Sequence, residues 1–131
     1  MHIIHVDVHT HAKEDLDLIW ESDPEAAATT LAVLEQLEAD PKAIDKLTTY
    51  GDNDVGATLV NVKPWQKMRK KANLWRFRIL DTPATSYRVI YGYQWQTRQL
   101  CVLAIVHKEK FDYDDLNSPL AHRILSDWCA L

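Results

Sequence analysis

Leu74-Trp75-Arg76-Phe77-Arg78-Ile79, followed after the short link Asp81-Thr82-Pro83 by Tyr87-Arg88-Val89-Ile90-Tyr91-Gly92-Tyr93, is the stretch whose reading decides the fold. Strand side chains alternate between two faces, so Trp75, Phe77 and Ile79 share one side and Arg76 and Arg78 the other. In the second segment Tyr87, Val89, Tyr91 and Tyr93 fall together, with Arg88 and Ile90 opposite. A third apolar run, Leu100 to Val106, comes after the polar stretch Gln94 to Gln99. Links this short predict a three-strand antiparallel meander. If the aromatic and aliphatic positions meet helices, Arg76, Arg78 and Arg88 gather on an uncovered face as a cationic platform.

Outward from the meander, His2 to His9 alternates and reads as a short first strand, with His5, Asp7, His9 and His11 on one parity. From Lys13 the spacing turns helical, with Leu16, Ile19 and Trp20 on one stripe. Ser22-Asp23-Pro24-Glu25 restarts a helix with a cap and a first-turn proline, and Ala27, Leu31, Leu34 and Leu37 continue its apolar stripe. Asp40-Pro41 ends it, and Lys42 to Leu47 adds a further turn. Tyr50-Gly51-Asp52-Asn53-Asp54, with Gly56, predicts a loop between an acidic helical half and a basic half. Asn117-Ser118-Pro119 opens a last helix over Leu120 to Trp128. The expected fold class is therefore α+β, one domain over 1–131. Its small antiparallel sheet is the N-terminal strand plus the three-strand C-terminal meander, with helices on one face and the other face free.

The 131 residues, 47% of them hydrophobic, suit one modest core. There is no apolar run of the roughly 18 residues a membrane span needs, and the first residues lack the pattern of a signal peptide, so a cytoplasmic protein without membrane contact is expected. Cys101 and Cys129 match neither a disulfide framework nor a zinc site and read as reduced thiols. Val6-Asp7-Val8-His9-Thr10-His11 looks like the metal-binding start of amidohydrolases, but that barrel takes roughly 200 residues or more. His2, His5, His107 and His122 are the remaining histidines, and the motif reads as a solvent-facing strand edge. No metal site and no cofactor are expected.

The net charge of -4 conceals an asymmetry. Residues 1–60 hold 13 Asp/Glu against 3 Lys/Arg, whereas residues 61–110 hold 11 Lys/Arg opposed only by Asp81 and Glu109. Separation of this kind points to nucleic-acid contact by one part of a chain, since phosphate contacts supply most sequence-independent affinity. The segment from Lys63 to Lys71, with Lys67, Arg69, Lys70 and Lys71, adds positive charge at the edge of the arginine platform. Guanidinium suits phosphate because its fork donates two parallel hydrogen bonds and stays charged. Trp65, Trp75, Trp95 and Trp128 read first as packing residues, and Trp65 and Trp95, in polar surroundings, are the two to test for RNA contact.

The two strands quoted above, with Leu103-Ala104-Ile105-Val106-His107-Lys108-Glu109-Lys110-Phe111-Asp112-Tyr113, resemble the RelE/ParE toxin superfamily over about residues 74–113. The order of pieces carries the resemblance: an aromatic-basic-apolar-basic strand, then Tyr-Arg-apolar-apolar-Tyr, then an apolar strand ending in a basic tract that closes on tyrosine. It implies a RelE-like toxin of a type II toxin–antitoxin pair, with a cognate antitoxin as partner. It further implies either ribosome-dependent mRNA cleavage or, in the ParE branch, inhibition of DNA gyrase without nuclease activity; a non-catalytic RNA-binding relic is the remaining alternative. For cleavage, Arg76, Arg78 and Arg88 would clamp the phosphate, His107 and Tyr113 would move protons, and Lys108 and Lys110 would steady flanking phosphates. Glu109 and the acidic run from Asp112 to Asp115 depart from the basic tail of RNA-cutting members.

Overall fold

A computed structural model of the chain describes residues 5–131, so His2 to Ile4 of the expected first strand lie outside the described residues. The elements, in order, are β1 (His5–Val8), α1 (Thr10–Ser22), α2 (Pro24–Glu38), α3 (Ala43–Leu47), β2 (Gly51–Val55), β3 (Thr58–Pro64), β4 (Leu74–Ile79), β5 (Tyr87–Gln94), β6 (Gln99–His107) and α4 (Pro119–Cys129). The strands form one sheet in the order β1-β6-β5-β4-β3-β2. The fold is α+β, and the meander β4-β5-β6 is antiparallel as expected.

Three expectations are corrected. The sheet has six strands rather than four, because the stretch expected to be a loop forms the hairpin β2-β3. Asp52, Asn53 and Asp54 are poor strand formers, but β2 is an edge strand whose only fully buried side chain is Val55, so its polar residues stay solvated. Gly51 (φ 110°) and Gly56 (φ 60°) take the left-handed backbone conformations at its two ends. β1 is not antiparallel: it pairs in parallel with β6, Val6 opposite Leu100. The helices α1 and α2 carry the chain between β1 and β2, which lie at opposite edges of the sheet.

The third correction concerns the faces. One core packs α1 and α2 against Phe77, Ile79, Val89, Tyr91 and Val102, as the alternation of β4 and β5 predicts. Tyr91 anchors it by donating its hydroxyl hydrogen bond to the Leu47 carbonyl at 2.6 Å. The opposite face is not free. Ala121 and Ile124 of α4, with Trp65, Met68 and Phe111 from the loops, bury Leu74, Ile90, Cys101 and Leu103 in a second core. Gly92 makes that docking possible, since a Cβ there would run into the ring of Trp128 and meet Leu74 Cδ2 at 3.0 Å.

Caps set the helix limits. Asp23 accepts from the Ala26 amide ahead of Pro24, and Ser118 from the Ala121 amide ahead of Pro119. α1 starts at Thr10 rather than Lys13 because the His9 imidazole serves as its cap and accepts from the His11 amide at 3.0 Å. Beyond the short β1, the free edge of β6 is satisfied by side chains: the Ile105 amide donates to Asp15 at 3.1 Å, and the Leu103 carbonyl accepts from Arg123 at 3.1 Å. Asp15 and Arg123 also bond to each other through both forks, at 3.1 and 2.8 Å, which ties α1 to α4 around that edge.

Candidate nucleic-acid interface

The part of the second face that α4 leaves open holds the arginines. Alternation along β4 sends Phe77 and Ile79 to the helices and turns Arg76 and Arg78 away from them. Arg76 lies opposite Ile90, and Arg88 shares the parity of Ile90, so all three guanidinium groups project from one side. Lys63 of β3 pairs with Arg76 and adds a fourth positive charge. A groove of ≈ 320 Å³ opens beside Arg76 and Arg88, lined also by Lys63, Trp65, Lys67 and Tyr113, with Pro64, Gln66 and Asp114 completing the wall; Arg78 lies on the same face outside the groove lining.

Hydrogen bonds fix two of the three arginines, whereas the buried Nε of Arg78 has no partner among the described residues. Arg76 Nη1 donates to the Asn61 carbonyl at 2.9 Å and to its Oδ1 at 3.0 Å. Arg88 Nη1 donates to the carbonyls of Thr85 (2.8 Å) and Tyr87 (3.0 Å). Among the described residues, none of Arg76, Arg78 and Arg88 has a carboxylate within ion-pair distance. Burial lowers the affinity of the Arg76 guanidinium for its proton, and the charges of Arg88 and Arg78 lower it further. Arg88 is depressed in the same direction, by burial first and then by Arg78. Half-buried like charges without counter-charges repel one another, and an anion in the groove would relieve that repulsion.

Tyr113 closes the groove. Its ring packs edge-on to Trp65 and Phe111, with centroids 5.6 and 4.8 Å apart, and its backbone carbonyl accepts from Trp65 Nε1 at 2.9 Å. The hydroxyl is buried and without a partner. Burial pushes the phenol up to about 12 although Arg76 and Arg88 pull it down. At neutral pH it is therefore a hydrogen-bond and proton donor, not a base.

The other candidates are dispersed. Lys67 reaches the groove and lies 3.5 Å from Asp114, both side chains being largely exposed. Arg69, Lys70 and Lys71 are exposed on the adjoining turn, outside the groove lining. Trp65 is buried as part of the second core, whereas Trp95 is 69% exposed. His107 lies on the opposite face. It packs edge-on to Tyr87 at 5.2 Å, its Nδ1 accepts from the Glu109 amide, and with Lys110 it lines a separate groove against Asp15, Leu18 and Ser22 of α1. Lys108 is exposed nearby, its amide donating to the Ser86 carbonyl.

A bulge decides the side on which His107 falls. The register of β5 with β6 shifts between Ile90↔Ala104 and Tyr91↔Val102, which leaves Leu103 as an extra residue. Leu103 and Ala104 both enter the second core, and the alternation after them is inverted. Unbroken alternation from Leu100 would have put His107 with the arginines. Asn61, which positions Arg76, escaped the sequence reading because β3 was not legible as a strand. The proximity of Asp127 to His9 and His11 also escaped it, because 116 positions separate His11 from Asp127.

Fold and groove together define an α+β domain with a single sheet and a cationic cleft built of arginine, lysine and tyrosine. No protein-family profile matches the sequence, and no curated protein matches it. Among solved structures, a chain of the archaeal RelE-RelB complex from Pyrococcus horikoshii OT3 is similar at 16% identity, over 83% of this chain and 99% of that one, with a TM-score of 0.45. Among the described residues, no helix is long and apolar enough to cross a membrane.

Proposed function

We propose that the chain is a RelE/ParE-type toxin of a toxin–antitoxin pair, acting as an mRNA endonuclease at the ribosome and held in check by a cognate antitoxin. The observation that carries this reading is the pair Arg76 and Arg88, without carboxylate partners among the described residues and with Arg78 on the same face, beside the neutral, unpartnered hydroxyl of Tyr113. RNA supplies its own nucleophile. Its 2′-oxygen attacks phosphorus and the bond to the 5′-oxygen breaks, leaving a 2′,3′-cyclic phosphate and a 5′-hydroxyl. Such a step needs a held backbone and stabilisation of the charge that builds on the phosphate, and preorganised guanidinium groups supply both. Tyr113 is matched to protonate the departing 5′-oxygen, and Asp114, the carboxylate in the groove lining, would accept the 2′-hydroxyl proton. His107, on the far face, takes no part.

Arg88→Ala should stay folded and lose growth inhibition and transcript cleavage by about 100-fold or more, whereas His107→Ala should keep most of both. Full toxicity in Arg88→Ala would sink the assignment. One observation favours a second reading, inhibition of gyrase without a nuclease: the imidazole expected to move protons is not in the groove. Expression that triggers DNA-damage signalling without cut transcripts would decide for that alternative.

A further inference from the structure

At the β1 edge of the sheet, away from the arginine groove, the chain gathers a second polar cluster. His9 caps α1, His11 lies in its first turn, and Asp127 comes from the last turns of α4. His11 Nδ1 is 2.6 Å from Asp127 Oδ2, His9 Nδ1 is 3.6 Å from the same oxygen, and the two rings are 5.0 Å apart. One potential donor atom from each residue lies within 4.8 Å of the others. Asp127 is one of two buried polar or charged residues among those described, at 8% exposure, while both imidazoles keep a solvent-facing part.

We propose that His9, His11 and Asp127 bind a divalent first-row transition-metal ion, with zinc as the representative, joining the start of α1 to the end of α4. Two neutral imidazoles and one carboxylate are the donor set that ions of this class favour over calcium and magnesium. With ion–donor distances of about 2.0–2.1 Å, tetrahedral donors stand about 3.3 Å apart. The His9–Asp127 spacing is already close to that, and the short His11–Asp127 hydrogen bond opens by less than an ångström when its proton gives way to the ion. His9 Nδ1 exchanges the cap bond it accepts from the His11 amide for the ion. The positive end of α1 opposes a cation here, and the charge of Asp127, buried beside the imidazoles, offsets it. Three protein ligands leave a fourth position for water. The sequence motif that pointed to a strand edge thus becomes a site once α4 contributes the third ligand.

The test uses the full chain without a histidine tag, stripped by chelator and titrated with Zn²⁺ by calorimetry and with Co²⁺ by its visible absorption. Wild type should bind one equivalent at pH 7.5, with Tm rising as zinc is added. Affinity should fall as pH is lowered, because protons compete with the ion for the ligand atoms. His11→Ala, at a half-exposed side chain, and Asp127→Asn should each weaken binding by at least about 10-fold, and His107→Ala should leave it unchanged. Circular dichroism confirms that each variant is folded, and His9→Gln replaces any that is not. Absence of saturable binding by wild type, or binding that survives His11→Ala undiminished, overturns the site and indicates a plain His11–Asp127 hydrogen bond.

Discussion

At Tyr113 two effects compete. The positive charges of Arg76 and Arg88 favour the phenolate, burial favours the phenol, and burial wins. Since the folded phenol titrates near 12 and a free one near 10, the stability it contributes is complete below about pH 10 and is lost as pH rises toward 12. Tyr113→Phe should therefore resist alkaline unfolding better than wild type in urea titrations at pH 11. Its hydroxyl has no partner to lose, so at pH 8 the same substitution should cost less than about 1 kcal/mol. Any toxicity that needs a proton from Tyr113 would fall in this variant without a loss of fold. Arg76 and Arg88 show a similar balance, each partly buried and held by hydrogen bonds while the neighbouring arginine charges repel it.

At the scale of elements, α4 is the decisive addition. It covers part of the face that alternation alone leaves open and brings Asp127 to the β1–α1 corner. Its docking depends on Gly92, where a methyl group would strike Trp128. Gly92→Ala should destabilise the fold by about 1–3 kcal/mol, as overpacking of a well-filled core does, measurable as a lower urea midpoint with an unchanged slope. An unaltered midpoint would mean that α4 packs more loosely than its contacts indicate. Ser118 and Pro119 made α4 legible as a helix, but nothing in its own residues tells which face of the sheet it covers. The hairpin β2-β3 was illegible for a different reason: an edge strand needs few buried side chains, so Asp52-Asn53-Asp54 carries the composition of a turn.

Over the whole molecule, charge is distributed by element: α1 and α2 are acidic, and β3 to β5 carry the basic groove. The domain should therefore meet a polyanion through one region alone. Binding of single-stranded RNA should weaken with salt, and three to six neutralised phosphates give a slope of about −2 to −4 in log K against log salt concentration. Removing Arg76 and Arg88 together should flatten that slope by roughly one to two, and a slope unmoved by the double substitution would place the contact surface elsewhere.

The faces of β4 and β5, the caps at Asp23 and Ser118, and the grouping of Arg76, Arg78 and Arg88 were determined by sequence alone, because alternation and capping are local and act over two to four residues. Other features were decided only in the tertiary structure. The extra residue at Leu103 inverts the last strand and moves His107 to the far face, the parallel pairing of β1 depends on a partner some 90 positions away, and α4 carries Asp127 to His9 and His11. Each of these is a choice between packings that the local pattern allows equally, settled by which arrangement buries both apolar faces of the sheet.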